Sequence, residues 1–445
     1  MTVSARRGVI TITFCIIAYM FSYIHRVCIT SITDLMQDMY AVELDKIGIL
    51  VSTFFYTYSV LQPFAGLTVD ILQARWVVFA SGFLIAAGSV LMGWIVNFPA
   101  ACVFRGLTGV GSACLYVATV KYAMLWLAPK QFVICTGSLA ASSGLASLLA
   151  SAPLRYLADA IGIKLLFVIL GVCPLIASII VGIVGSYPSP YYAGRKQTTK
   201  DAIKDFKNGF RELGRTRAAV SLIPLLIYYF FFSGANYTIS AFLGVVFITS
   251  LNQSLSHTYA TWMFLLQSIG LIISGVAIPH VAKYIGRKPP HIIAPIVVSG
   301  LMFCIAFFKE QTAGWKFGTV YFFYGILTGA TIPIGYTLCK ELVPPDILAT
   351  AIGLFNFFPA LGGAIFQNTF PLLLHTNALT EYQTIAFILA GQYLLCAFIG
   401  AFLKETSGLT IGRPCKRSQR RNTILDKNES ADGKEIRMNS TQISA

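Results

Sequence analysis

Three cations and one imidazole stand where the chain is otherwise apolar. Arg26, Arg105 and Lys121 each fall inside a long hydrophobic run, and His25 adjoins the first of them. A guanidinium stays charged and offers five N–H donors in a fixed fork, which suits it to a bidentate grip on a carboxylate or phosphate. Embedding such a charge in an apolar layer costs several kcal/mol, and an embedded ionisable group is a functional candidate by default. No Asp or Glu lies well inside any of the hydrophobic runs, so Arg26 is expected to meet an anion from outside the chain. Arg105 is expected either to join it or to brace its own helix. His25 is the one neighbour that titrates near neutral pH, and it reads either as a proton carrier or as a packed, hydrogen-bonded ring. Lys121 is expected to reach the headgroups along its aliphatic stem.

Other chemistries lack their residues. An embedded carboxylate pair, a His cluster and a nucleophile beside its base are all missing, so an enzyme is not expected. The 10 Cys include no C-x-x-C pair and read as small apolar packing residues, with no metal and no cofactor implied.

The elements that must position these groups follow from composition. The 445 residues are 56% hydrophobic and only 11% charged, against about 25% charged in soluble domains, and mean hydropathy is +0.71. A helix needs roughly 20 apolar residues to cross a bilayer, and such stretches occur at 9–32, 46–68, 76–96, 98–125, 131–151, 164–186, 218–249, 258–280, 291–308, 317–339, 347–373 and 383–403. The expectation is an all-α membrane protein of twelve spans. Its domains are an N-terminal six-helix half over 1–186, a cytoplasmic loop over 187–217, a C-terminal six-helix half over 218–403, and a basic, disordered tail over 404–445. The first apolar run is too long for a signal peptide and reads as a retained helix.

Basic residues set the orientation. With the N-terminus inside, 25 of the 33 Lys and Arg fall on inner segments, eight of them in the central loop. Both termini are therefore cytoplasmic. The net charge of +15 is a topology signal, and nucleic acid is not an expected partner.

The halves repeat. Gly66-Leu-Thr-Val-Asp70-Ile-Leu-Gln-Ala-Arg75 after the second span is echoed by Pro279-His-Val-Ala-Lys283-Tyr-Ile-Gly286-Arg287-Lys288 after the eighth; Asp70 matches Lys283 and Arg75 matches Lys288, an offset of 213 positions. Together with Arg105-Gly-Leu-Thr-Gly109-Val-Gly111 in the fourth span, these loops resemble the major facilitator superfamily. The sequence departs from that pattern at Gln73 and Ala74, where the family carries a glycine and a basic residue, and at Lys283, where it carries an acid. The resemblance implies two pseudo-symmetric halves, gating by Gly66, Asp70, Arg75, Gly286 and Arg287, and a central cavity lined by helices 1, 4, 7 and 10.

Those four helices do carry polar rows at helical spacing: Tyr19, Tyr23, Arg26 and Thr30; Arg105, Thr108, Ser112, Tyr116 and Thr119; Tyr229, Ser233, Asn236 and Ser240; Tyr321, Tyr324, Thr328 and Thr331. Arg26 and Arg105 sit at similar depths, roughly 10–12 Å below the outer surface at 1.5 Å per residue. Within the superfamily, Tyr23-Ile-His-Arg26, Ser31-Ile-Thr-Asp34 and Ser52-Thr-Phe-Phe-Tyr56-Thr-Tyr58 are similar to the organic anion symporters and to bacterial and lysosomal dipeptide-transporter relatives. His25 replaces the Asp common in those symporters. The resulting expectation is a secondary transporter, symporter or uniporter, for a small organic anion. A dipeptide or amino-acid carrier is the alternative. Arg26 and Arg105 would hold the carboxylate, Tyr23, Asn236, Tyr237 and Tyr324 would orient the remainder, and His25 or no residue at all would couple a proton. The expected setting is the bilayer of a bacterial inner membrane, in preference to a eukaryotic plasma or lysosomal one, with the chain as a monomer.

Overall fold

The computed structural model describes residues 3–127, 129–185, 199–215, 217–343, 348–374 and 379–406. Every regular element among them is helical. Eleven helices are long and apolar enough to cross a membrane, and a twelfth crossing is a pair of helices bent by 49°. Numbered in chain order, spans 1 to 4 are Arg6–Ser31, Leu44–Leu72, Ala74–Trp94 and Phe98–Trp126. Span 5 is the pair Gly137–Leu149 and Ala152–Ile161, and span 6 is Ile163–Val184. Spans 7 to 12 are Val220–Leu251, His257–Gly275, Lys288–Ala306, Gly314–Leu342, Thr350–Leu373 and Leu379–Ala401. The spans lie within one compact unit; the tail expected to be disordered lies, from residue 407 on, outside the described residues.

Two expectations about the spans need correction. Span 5 does not stop at residue 151 but restarts at Ala152 and runs to Ile161. Pro153 stands in the first turn of that second piece, where its missing N–H costs nothing and where it could not have continued the first piece. The central segment is not plain loop either: Thr199–Arg215 is a helix.

Helices are held by close approach of small residues, since lipid supplies no hydrophobic drive between them. A Cβ at Gly109 would overlap the Phe54 carbonyl, and one at Gly325 would overlap the Gln267 carbonyl. These contacts join spans 2 and 4 in one half and spans 8 and 10 in the other, at matching places. Between the halves, Gly48 of span 2 meets Gln367 and Pro371 of span 11, and Gly144 of span 5 meets Ile272 of span 8.

Two spans change their winding toward their C-terminal ends. Span 1 tightens into a 3-10 turn at Cys28–Ser31, and span 7 widens into a π turn at Ile239–Leu243. Such breaks are tolerated only where other groups re-satisfy the backbone. Here the Thr30 hydroxyl donates to the Phe242 carbonyl at 3.1 Å, and the Tyr321 hydroxyl donates to the Gly244 carbonyl at 2.9 Å. The breaks face one another across the two halves, directly beside the embedded arginines.

Candidate functional site

Arg26 is in the last full α-helical turn of span 1, just before its 3-10 turn. It is 6% exposed, and its guanidinium carbon lies 4.4 Å from the ring centre of Tyr58, 5.0 Å from that of Tyr23 and 5.8 Å from that of Tyr237. These tyrosines come from spans 2, 1 and 7, so the cage spans both halves. Tyr237 is fixed by its contact with Phe55 at 5.3 Å and by Gln367, whose side-chain amide donates to its backbone carbonyl at 3.1 Å. Tyr19, Tyr116 and Tyr336 extend the aromatic wall, Tyr19 lying 5.6 Å from Tyr116 and Tyr336 hydrogen-bonding to the Asn356 side chain. Partly exposed tyrosines of spans 1, 2, 4, 7 and 10 thus gather in the interior between the halves. No ion pair to Arg26 occurs among the described residues.

Arg105 is more extreme. It is fully buried, none of its three guanidinium nitrogens meets an oxygen or nitrogen acceptor, its polar neighbour is the Cys28 thiol, and among the described residues its ring contact is Phe54 at 4.9 Å. Cys28 and His25 are its electrostatic neighbours. Burying an unpaired ion costs several kcal/mol, whereas a desolvated cation–π contact returns about 2 kcal/mol. The ring cannot hold the charge alone, so this position has an unmet demand for an acceptor.

The other expected site residues divide. Tyr23 and Tyr237 join Arg26, as stated. Asn236 instead ends a polar relay: the Gln267 amide donates to the Ser240 hydroxyl at 2.7 Å, which donates to the Asn236 side-chain oxygen at 3.5 Å. The relay borders a small polar pocket between spans 1, 5, 7 and 8 whose lining includes Tyr23, Ser147, Ser240, Gln267 and Ser268, and the Gln267 side-chain oxygen is buried there without a donor. Tyr324 is not brought to Arg26. Its hydroxyl pairs with that of Tyr393 in span 12 at 2.8 Å, because its place on span 10 faces the bundle of its own half. His25 is fully buried and its Nε2 donates to the Leu170 carbonyl of span 6 at 3.2 Å.

The residues expected to gate lie at the cytoplasmic turns. Asp70 pairs with Lys121 of span 4, not with Arg75, and Lys121 also donates to the Val69 carbonyl at 3.3 Å. Lys121 is thus engaged by protein and does not extend to headgroups. Arg75 lies over the Trp76 ring at 4.8 Å with its Nε unpartnered. Gly66 has open space where a Cβ would stand, so no close approach explains it. In the other half Arg287 donates to Glu341 of span 10 at 3.3 Å, and Gly286 holds the turn at φ 90°. Gln73 occupies the matching turn at φ 64°.

Sequence reasoning missed the tie at the outer end. Arg155, outside every span read from the sequence, sits on the second piece of span 5 and bonds Asp34 at 2.5 Å and Asp159 at 3.0 Å. His257 at the start of span 8 lies 3.5 Å from Asp34, and the Thr258 hydroxyl donates to Asp159 at 3.3 Å. The two halves are therefore joined at the outer end. Tyr58 was also missed as a site residue, although its motif was visible; its place over Arg26 depends on the register between spans 1 and 2.

A family model described as Major Facilitator Superfamily matches residues 15–367. The uncharacterized MFS-type transporter YceJ of Bacillus subtilis (strain 168) is 24% identical over 374 residues, 81% of this chain and 90% of its own length. Among solved structures, a D-xylose-proton symporter superposes with a TM-score of 0.75 at 14% identity, over 89% of this chain and 98% of its own. The nucleoside transporter NupG gives 0.71 at 17%, over 88% and 99%. At such identities the likeness to the solved structures is one of fold. The family match is of another kind: it runs from span 1 into span 11, across both halves and both paired turns, and by it this multi-pass membrane protein belongs to the Major Facilitator Superfamily.

Proposed function

We propose that this secondary transporter carries a small organic anion, its carboxylate held by Arg26, by alternating access across a bacterial cytoplasmic membrane. The observation that carries the reading is the state of Arg26: a buried guanidinium in a cavity shared by both halves, caged by three tyrosine rings and paired with no acid among the described residues. The rings leave the guanidinium edge for a charge-assisted bidentate contact and give an organic body flat apolar walls. Arg105 adds a second uncompensated positive charge to the same interior. The Bacillus relative supports the choice of membrane. Transport proceeds as uniport or exchange, since His25 is turned to the Leu170 carbonyl.

The test is uptake into proteoliposomes from a panel of labelled solutes: mono- and dicarboxylates, their neutral amides, sugars, nucleosides and dipeptides. Saturable uptake of carboxylates with the matched amides inert is the expected result. Transport of a neutral sugar or nucleoside with carboxylates inert overturns the proposal, and preference for dipeptides over simple carboxylates moves it to a zwitterionic substrate.

A further inference from the structure

The helix Thr199–Arg215 takes no part in the cavity, yet its charges are ordered. Lys200, Lys204, Lys207 and Arg211 recur at spacings of 4, 3 and 4, which at 100° per residue places them within about 60° of one another along one side of the helix. All four are exposed and none forms an ion pair among the described residues. They border an open groove that also includes Ile203 and Asn208.

The helix is not loose. Phe206 packs on Phe64 at the inner end of span 2 with ring centres 5.5 Å apart, and on Phe210 at 4.9 Å. Gly209 lies against Thr350 at the start of span 11. One face thus docks on the cytoplasmic ends of both halves, and this fixes the direction of the basic row. Ile203 and Phe210, exposed by 38% and 37%, run along one edge of that row. A row of cations flanked by exposed apolar side chains on a helix at the membrane's inner face is the pattern of an interfacial segment that meets anionic lipid. The positive-inside rule asks only for charge on the inner side; it does not ask for four cations in register beside apolar side chains.

We propose that this row is a binding site for the phosphate headgroups of anionic phospholipids in the inner leaflet. Lys200, Lys204, Lys207 and Arg211 contact the phosphates, while Ile203 and Phe210 dip toward the acyl boundary. Because the helix docks on span 2 and on span 11, headgroups that hold it also act on the contact between the halves.

The full chain purified in mild detergent is presented with phosphatidylglycerol, phosphatidylcholine or inorganic phosphate. Bound lipid is counted by native mass spectrometry, and amide exchange is followed over 199–215. Phosphatidylglycerol is expected to be retained and to slow exchange, with phosphatidylcholine and phosphate inactive. A variant carrying K204Q and K207Q should retain it on the order of tenfold or more less well, and one carrying K204E and K207E should lose it altogether. Both changes are on the exposed side and leave Phe206 and Gly209 in place, and exchange over span 2 reports that the fold is intact. Equal retention of the two lipids, unchanged retention in the Glu variant, or equal protection by inorganic phosphate overturns the proposal. So does a helix protected only by a soluble acidic partner.

Discussion

The two halves share a fold and divide the chemistry. The N-terminal half holds both embedded guanidiniums, Arg26 and Arg105, neither in an ion pair among the described residues. The C-terminal half brings to the cavity neutral groups: Tyr237 over Arg26, Tyr336 on the wall, and the Gln267, Ser240 and Asn236 relay. At the cytoplasmic turns the halves carry opposite polarity. In the first, the turn gives the acid and span 4 the base, Asp70 with Lys121; in the second, the turn gives the base and span 10 the acid, Arg287 with Glu341. The difference teaches that both halves tie the turn to the fourth helix of their own bundle by an ion pair, with opposite sign and at positions that the repeat does not align. Under the proposed function one half reads the charge of the solute while the other encloses its body, which is what a rocking carrier needs to bring both halves onto one ligand.

The sharpest way to break this division is to remove its charge. Arg26→Ala should lower affinity for the anionic solute by about 3 kcal/mol or more, on the order of a hundredfold, with Arg26→Lys recovering little because a point charge lacks the planar fork. Titration of the purified protein by thermal shift checks it. Uptake at near-normal affinity in Arg26→Ala would remove the N-terminal half from charge recognition.

Arg105 separates a brace from a binding group. A buried cation without acceptors destabilises the empty protein, so Arg105→Met should raise melting stability by about 1 kcal/mol or more while transport is lost. Lower stability with solute affinity intact would make Arg105 a structural strut and leave Arg26 alone in the site.

Much of this architecture was legible in the sequence. Hydropathy placed eleven spans within a few residues because a bilayer crossing has a fixed length, and the embedded arginines were visible as charges in apolar runs. What failed was what depends on contacts between spans. Tyr324 shares its spacing with the cavity row yet turns to Tyr393; Tyr58 reaches Arg26 only through the register of spans 1 and 2; Lys121 finds Asp70 51 positions away. Span 5 failed for a local reason, since the break beside Pro153 looks in sequence like an end.

The paired turns offer a smaller test. Asp70→Asn should slow turnover about two- to fivefold with little change in affinity, since exposed ion pairs contribute about 0.2–1 kcal/mol and this one is remote from the solute. Exchanging the partners, Asp70→Lys with Lys121→Asp, should restore the rate by giving the first turn the polarity of the second. A swap no better than the single variant would mean that sign matters after all.

The same turns differ in backbone. Gln73 holds φ 64° and ψ 136°, where Gly286 holds φ 90° in the second half. That region is nearly closed to side chains and costs about 1–3 kcal/mol. Gln73→Gly should therefore stabilise the protein by about 1 kcal/mol after the added freedom of the unfolded chain is deducted, and Gly286→Gln should destabilise it. Equal effects of either sign at the two turns would show that the halves do not differ here.

The smallest effect is expected at His25, and comparison with a second buried histidine, on span 9 of the other half, shows why. His291 has both ring nitrogens in use, Nδ1 on the Arg287 carbonyl at 2.8 Å and Nε2 on the Tyr229 hydroxyl at 3.0 Å. His25 has one, with Nε2 donating to the Leu170 carbonyl and Nδ1 buried without a partner. Protonating that free nitrogen would place a second buried cation beside Arg105 with no acid among its electrostatic neighbours, and the ring is turned toward span 6. A coupling group must be reachable from each side in turn, and a fully buried ring fixed to backbone is not. Solute uptake should thus be the same with and without an inward proton gradient, in the parent protein and in His25→Gln, whose amide can still donate toward Leu170. Accumulation driven by the gradient and lost only in His25→Gln would make His25 the proton carrier. Accumulation that survives the substitution would place the coupling group elsewhere, with His291 in the neutral half as the next residue to test.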